Sequence, residues 1–321
     1  MDTLVRSSKY HPTTFTLEQV PDLAGKVAIV TGGNSGLGYE TVRALASKGA
    51  RVFMAARSEA KARDAIDRLK GATGCDAEFL RLDLQDLNQV KAAADEFLAK
   101  QLPLHILVNN AGIMACPFGL TKDGIESQMG TNHLGHFLFT TTLLPALERA
   151  APSRVVILSS ILHEWAPEGG IQFERINDPD AHSAWTRYGQ SKLADILFAR
   201  ALDRRVGGRG VFVNAVHPGV VRTGLKQGPQ ELYGFRGILK PLGDLLALSE
   251  YMWSIGPAAG ALTQIFVATA PAIDADNIRG QYFEPYCTLG THSATEYARD
   301  DALAERLWEW SEATVGAKLR K

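Results

Sequence analysis

Cysteine is scarce: Cys75, Cys116 and Cys287 are the three thiols in 321 residues. They are scattered, odd in number and without C-x-x-C spacing, which excludes a disulfide framework or zinc cluster and predicts three free thiols in a reducing compartment. A charge excess of one sign is missing too. The 34 basic and 35 acidic residues leave a formal net charge of −1, so no field draws nucleic-acid phosphates or anionic lipid. The expected partner is a small molecule, and no nucleic acid is expected. No apolar run is long enough to cross a bilayer, and the polar opening MDTLVRSSKYHPTTFTLEQV has no apolar centre of signal-peptide length. These absences read as a cytoplasmic protein with no membrane span.

Apolar residues, by contrast, make up 45% of the chain, enough for one large core. From Lys26 onward, short apolar runs recur: VAIV (27–30), RVFMA (51–55), AEFLRL (77–82), HILVN (105–109), RVVILS (154–159) and VFVNAV (211–216). They are apolar almost throughout, as strands covered on both faces must be. Between them, residues 36–48, 58–69, 87–100 and 186–205 repeat apolar positions at three and four, the period of amphipathic crossover helices. The alternation predicts a single α/β domain over residues 25–321, doubly wound, with a central parallel sheet and helices on both faces. Residues 1–24 read as an arm laid over its surface. The stretch of about 225–255 breaks the rhythm with Gly, Pro and the aromatics Tyr233, Phe235, Tyr251 and Trp253. It is either a mobile lid over a lipophilic substrate or a pair of helices packed permanently on the domain.

TGGNSGLG (31–38) follows the first strand and opens the first helix. In that position a glycine-rich turn brings backbone amides to a pyrophosphate at a helix N-terminus, which makes the fold a Rossmann fold. The candidates are Gly32, Asn34, Ser35, Gly36, Leu37 and Gly38. The second strand ends at Ala56, where an NAD site usually places a carboxylate, and Arg57 follows. A planar guanidinium suits a ribose phosphate, so NADP(H) is favoured over NAD(H). Glu59 is the rival for the ribose, but Ser58 reads as an N-cap and Glu59 as a first-turn carboxylate.

YGQSK (188–192) sets Tyr188 and Lys192 one helical turn apart. A free tyrosine titrates near pH ~10, and a fixed cation beside it favours the phenolate. Alone, the pair also fits a ring packed on an aliphatic stem. Context decides. With TGGNSGLG, NNAG at 109, the asparagine of TNHLGHF at 132, a serine pair at 159 and YGQSK, the chain resembles a short-chain dehydrogenase/reductase. The likeness runs from Asp22 to about Tyr286, through HPGVVRT at 217 and GQYF at 280. It is greatest to the retinol-dehydrogenase-like branch and its fungal relatives.

The resemblance implies Tyr188 as acid/base and Lys192 as its partner, bonded also to the nicotinamide ribose. It implies Ser160 as the hydroxyl that orients the carbonyl and Asn132 as the anchor of a proton-relay water. Side chains alternate beyond the strand, and the family uses the second serine of the pair, so Ser160 is chosen over Ser159. For the cofactor it implies Asp83 and Leu84 at the adenine, Asn110, Ala111 and Gly112 at the adenosine side, and Val221 and Thr223 at the carboxamide and phosphates. Asp83 also reads as a strand-end turn residue, Asn132 as a helix-kinking or capping amide, and Asn109 as a tie between adjacent strands. His133 and His136 lack the carboxylates or cysteines of a metal set and read as helix packing, so no metal is expected. His217 reads as setting the turn before Pro218. His163, Trp165 and Trp185 shape the substrate mouth or belong to a packed surface loop.

The implied function is NADP(H)-dependent interconversion of a lipophilic or aromatic carbonyl compound and its alcohol, with a tailoring step in secondary metabolism as one setting. The alternative is a nucleotide-binding, redox-sensing protein without turnover. The resemblance implies a homo-oligomer interface on the helices after NNAG and around YGQSK, or else their apolar residues face their own core.

Overall fold

β1 (Val27–Thr31) is buried along its whole length, and its side chains divide between two apolar clusters: Val27 and Ile29 enter one, Ala28 and Val30 the other. A strand with no polar face has to lie inside a sheet covered on both sides. β2 (Arg51–Ala56), β4 (Ile106–Asn109), β5 (Ser153–Leu158) and β6 (Val211–Val216) alternate in the same way. β3 (Glu78–Arg81) forms one edge, and β7 (Tyr282–Glu284) and β8 (Thr288–Leu289) complete the other side. The computed structural model describes residues 15–221, 255–290 and 294–319. Residues 1–14 of the expected arm, nearly all of the 225–255 stretch and Thr223 lie outside them.

The strand order is β3-β2-β1-β4-β5-β6-β7-β8, parallel from β3 to β7, with β8 antiparallel at the edge. The chain starts in the middle, winds outward to β3, and returns to β4 to wind the other way. This places a topological switch point between β1 and β4, where ligands enter above the C-terminal strand ends. α1 (Gly36–Ser47), α2 (Glu59–Thr73) and α6 (Pro257–Thr269) cover one face with Leu45, Leu69 and Phe266. α3 (Leu87–Ala99), α4 (Gly135–Arg149), α5 (Ala184–Val206) and α7 (Asp301–Leu319) cover the other with Phe97, Leu143, Phe198 and Leu307. Each such fully buried side chain contributes about 1.5–3 kcal/mol.

Helix starts follow side-chain chemistry. Ser58, Asp86 and Ser183 each accept a backbone N–H three residues on, at 3.4, 3.1 and 3.1 Å. Ser58 is therefore the N-cap of α2, and Glu59, in its first turn, holds the Arg63 guanidinium at 2.8 Å. α7 crosses over α4 and α5: Trp308 meets Phe137 edge-on at 4.9 Å and Phe198 at 6.2 Å between ring centroids. These apolar residues of α4 and α5 thus face their own core.

Candidate active site

At the switch point, Thr31 closes β1 and its Oγ1 becomes a hub. It accepts the backbone N–H of Asn110 and of Ala111, each at 2.9 Å, and lies 2.9 Å from His136 Nε2. The turn beyond it passes through left-handed backbone at Gly32 (φ 66°) and Gly36 (φ 54°), which only glycine adopts freely. A Cβ on Gly38 would collide with the Gly32 carbonyl oxygen. Ser35, at the N-cap of α1, makes no capping bond with its side chain, so its hydroxyl leaves the first-turn amides to another acceptor. A tight glycine cradle ending in free helix amides fits a pyrophosphate. α6 closes one side: a Cβ on Gly260 would lie 2.6 Å from Val221 and 2.9 Å from Leu37. Val221 itself bridges in parallel to Ile255.

The turn after β4 is bound from within. Asn110 Nδ2 donates to the Thr31 carbonyl at 2.8 Å, and its Oδ1 accepts from Gln264 Nε2 at 3.4 Å. Its side chain is thereby a tie between strands. Asn109 is not, contrary to expectation: its Nδ2 reaches across to Thr140 of α4 at 2.7 Å. At the end of β3, Asp83 Oδ1 accepts the Gln85 N–H at 3.1 Å, which makes it a turn residue in this structure. Leu84 is buried, with its carbonyl oxygen 2.8 Å from where a Gly135 Cβ would stand. Arg57 is exposed just past the end of β2.

Gly112 leads the same turn toward the chemistry, since a Cβ there would lie 3.1 Å from Asn132 Oδ1 and 3.7 Å from Lys192 Nζ. Asn132 sits fully buried in a π-helical segment, Met129–Leu134, that runs into α4. Its Nδ2 donates to the Ile113 carbonyl (3.0 Å) and Ser191 Oγ (2.9 Å), and its Oδ1 accepts from the Ile113 N–H (2.9 Å). Both Nδ2 protons and one acceptor position of Oδ1 are taken by protein, so Asn132 holds the loop after β4 in place. Its own carbonyl accepts from His136 Nδ1 at 2.8 Å. His136 therefore joins Thr31 to Asn132, and burial pulls its imidazole down to about 4. His133 turns the other way, to Ser311 Oγ at 2.8 Å. The two histidines share no ligand position, and no metal-binding group of side chains occurs among the described residues.

Ser160 follows β5 in extended backbone, and its Oγ accepts the Leu162 N–H at 3.2 Å. Ser159, one residue earlier, is committed to the backbone of α5 and donates to the Lys192 carbonyl at 2.7 Å. The short turn after Ser160 seats on α5 at Gly189, where a Cβ would meet the Leu162 oxygen at 2.6 Å. His163 is buried with Nδ1 on the Ser160 carbonyl at 2.8 Å, whereas Trp165 and Trp185 pack edge-on at 5.8 Å and Trp165 is half exposed. Gly219 N–H donates to His217 Nδ1 at 3.4 Å, so His217 does hold the turn around Pro218.

Tyr188 is buried with Lys192 Nζ 5.9 Å from its ring centroid. Burial is the largest influence on the phenol and raises it; Lys192 and Ser160 pull it down, and Asp195 pushes it up. Its net direction in the protein alone is upward, opposite to expectation, because desolvation outweighs the cation. Lys192 Nζ donates to the Leu158 carbonyl at 2.7 Å and to Asp195 Oδ2 at 2.9 Å. Burial alone would pull the ammonium down, but Asp195 and Tyr188 outweigh it and the net direction is up. Asp195 is itself pushed up to about 7 by burial, with Lys192 opposing. Sequence reasoning missed it; the signal was one carboxylate in the apolar run LADILFA, a turn beyond Lys192.

A doubly wound sheet with a pyrophosphate cradle at its switch point and a phenol–ammonium pair buried beside it defines a dinucleotide-dependent oxidoreductase. Comparison with known proteins narrows that class. The family model described as short chain dehydrogenase matches residues 26–172. An uncharacterised oxidoreductase of Schizosaccharomyces pombe is 40% identical over 320 residues, 97% of this chain and 91% of the relative. Retinol dehydrogenase 14 of Mus musculus is 39% identical over 305 residues, 91% of this chain and 86% of the relative. The solved structure of a protein from Mycobacterium paratuberculosis superposes with a TM-score of 0.72 at 33% identity, covering 94% of this chain and 97% of the other. A protein from Beutenbergia cavernae described as an NAD(P)-dependent gluconate 5-dehydrogenase, solved with NADP bound at low occupancy, gives 0.64 at 25% identity over 82% of this chain and 96% of the other. The chain belongs to the short-chain dehydrogenase/reductase family, in its retinol-dehydrogenase-like branch. No helix among the described residues is long and apolar enough to cross a membrane.

Proposed function

We propose that the protein is an NADP(H)-dependent carbonyl reductase, or the reverse alcohol dehydrogenase, acting on a lipophilic or aromatic substrate in the cytoplasm. The observation that carries this reading is the buried Tyr188 phenol with Lys192 Nζ 5.9 Å from its ring centroid, lying beside the Gly112 turn, with Ser160 one of the groups that pull the phenol down. The dinucleotide, when bound, supplies or accepts the hydride. The glycine cradle from Gly32 to Gly38 holds its pyrophosphate, and the third N–H of Lys192, left over from Leu158 and Asp195, serves its ribose. Ser160 donates to the substrate oxygen as negative charge builds there. Tyr188 Oη delivers the proton that completes the alcohol, or removes it in the reverse direction.

The cofactor preference rests on two side chains. Glu59 is occupied by Arg63, which leaves exposed Arg57 as the charged group after β2 for a ribose phosphate. The test is NADPH and NADH oxidation across aromatic aldehydes, ketones, quinones and retinaldehyde, the last because relatives carry the retinol dehydrogenase name. Tyr188→Phe should lower turnover roughly 10²- to 10⁴-fold while NADPH still binds. Equal turnover in that variant removes the acid/base role. NADPH binding with no turnover anywhere in the panel favours the redox-sensing alternative.

A further inference from the structure

Asp195 is fully buried, keeps one carboxylate oxygen on Lys192 Nζ at 2.9 Å, and has no hydrogen-bond partner for the other. A buried, half-satisfied carboxylate costs stability, so its presence one turn behind the tyrosine–lysine pair calls for a function. We propose that Asp195 is a positioning residue that sets the net charge of this cluster, and so raises the pH at which the Tyr188–Lys192 pair gives up its first proton. This rests on the reading of Tyr188 as the acid/base.

The physics is a charge count. With Asp195 ionised, phenol, ammonium and carboxylate sum to zero, and losing a proton leaves one buried negative charge. With a neutral residue at 195, the same loss takes the cluster from one positive charge to zero, which is easier in a dry site. The other groups facing the cluster do not alter the count. Lys192 and Tyr188 share α5 with Asp195, His136 faces Lys192 from α4 and stays uncharged above about 4, and Tyr282 of β7 faces Tyr188 with a phenol that burial pushes up and so keeps neutral. Burial pushes Asp195 up to about 7, so its hold on the pair grows as pH rises through that value and fades below it. The consequence is a tyrosine kept protonated, the form that gives a proton to a nascent alkoxide.

The test reads Tyr188 without needing turnover. Near-ultraviolet phenolate absorbance is titrated in the wild-type protein, Asp195→Asn and Asp195→Glu, each against its Tyr188→Phe counterpart, with NADPH binding and thermal unfolding as checks of folding. Asp195→Asn should move the phenolate midpoint toward acid by roughly one pH unit, and Asp195→Glu should restore it. A midpoint that stays put, or moves toward alkali, overturns the proposal. Should the asparagine variant not fold, Asp195→Ser is neutral and carries the same expectation. An acid shift in a protein that reduces no carbonyl upholds the charge-setting role and removes the carbonyl-reductase reading instead.

Discussion

α5 carries two sets of ion pairs, and water separates their consequences. Near its middle, Lys192 and Asp195 meet at 2.9 Å with both side chains almost wholly buried. Two turns on, Arg200 and Arg204 grip Asp301 at 2.7 and 2.6 Å, and Arg204 and Arg205 grip Glu305 at 2.8 and 2.5 Å, all in contact with solvent. The exposed set moors α7 and is screened by salt. The buried set is costly to assemble and costlier to break, so it controls protonation. The same residue chemistry does two jobs, and burial decides which.

The comparison breaks most sharply at Lys192. Lys192→Met strands the Asp195 carboxylate in the core and should cost about 3–5 kcal/mol in urea unfolding, with Lys192→Met/Asp195→Leu recovering most of it. Acid is the next probe. Burial depresses His133 to about 3 and His136 and His217 to about 4, from an ordinary 6.5. The unfolded chain therefore binds more protons between those values, and their contribution, full above 6.5, is lost as pH falls through about 4. Asp195 has the opposite sign: raised from 3.8 to about 7, it costs stability as pH climbs through that window. A thermal midpoint measured from pH 4 to 7 should thus rise more steeply in Asp195→Asn than in the wild-type protein. Smaller still, Arg57→Ala should weaken NADPH about tenfold and leave NADH unchanged in a fluorescence titration. Smallest is the exposed set, where Glu305→Gln should cost under ~1 kcal/mol, and nothing at ~1 M salt. The Arg205 and Arg204 bonds hold Glu305 down at about 2, so this contribution fades only as pH falls from 4.5 toward 2.

Much of the fold was legible because a strand covered on both faces has to be apolar at every position, as in VAIV and VFVNAV. The glycine turn and YGQSK were legible because their chemistry demands particular residues at fixed spacing. What escaped depends on packing that no local pattern carries. The π-helical segment around Asn132 has the spacing of an ordinary helix. β8 is two residues long, reached through left-handed backbone at Tyr286 (φ 63°) and Cys287 (φ 62°). The net direction of the Tyr188 phenol turned on how deeply the ring is buried, and the use of Asn110 as a tie on where Thr31 ends. Asp195 stood in plain sight, yet a lone carboxylate on a helix reads as solvent-facing until the neighbouring elements close over it.

Gly189, inside the tyrosine–lysine motif, adds a constraint of another kind. Because the turn after Ser160 rests on its bare backbone, how closely that turn approaches the tyrosine helix is set by a missing methyl group. An alanine at this position has room only if Leu162 and Trp165 retreat, carrying Ser160 with them. Anyone redesigning this enzyme for a bulkier substrate would have to treat residue 189 and the turn at 161–165 as one adjustable part, changed together or left alone.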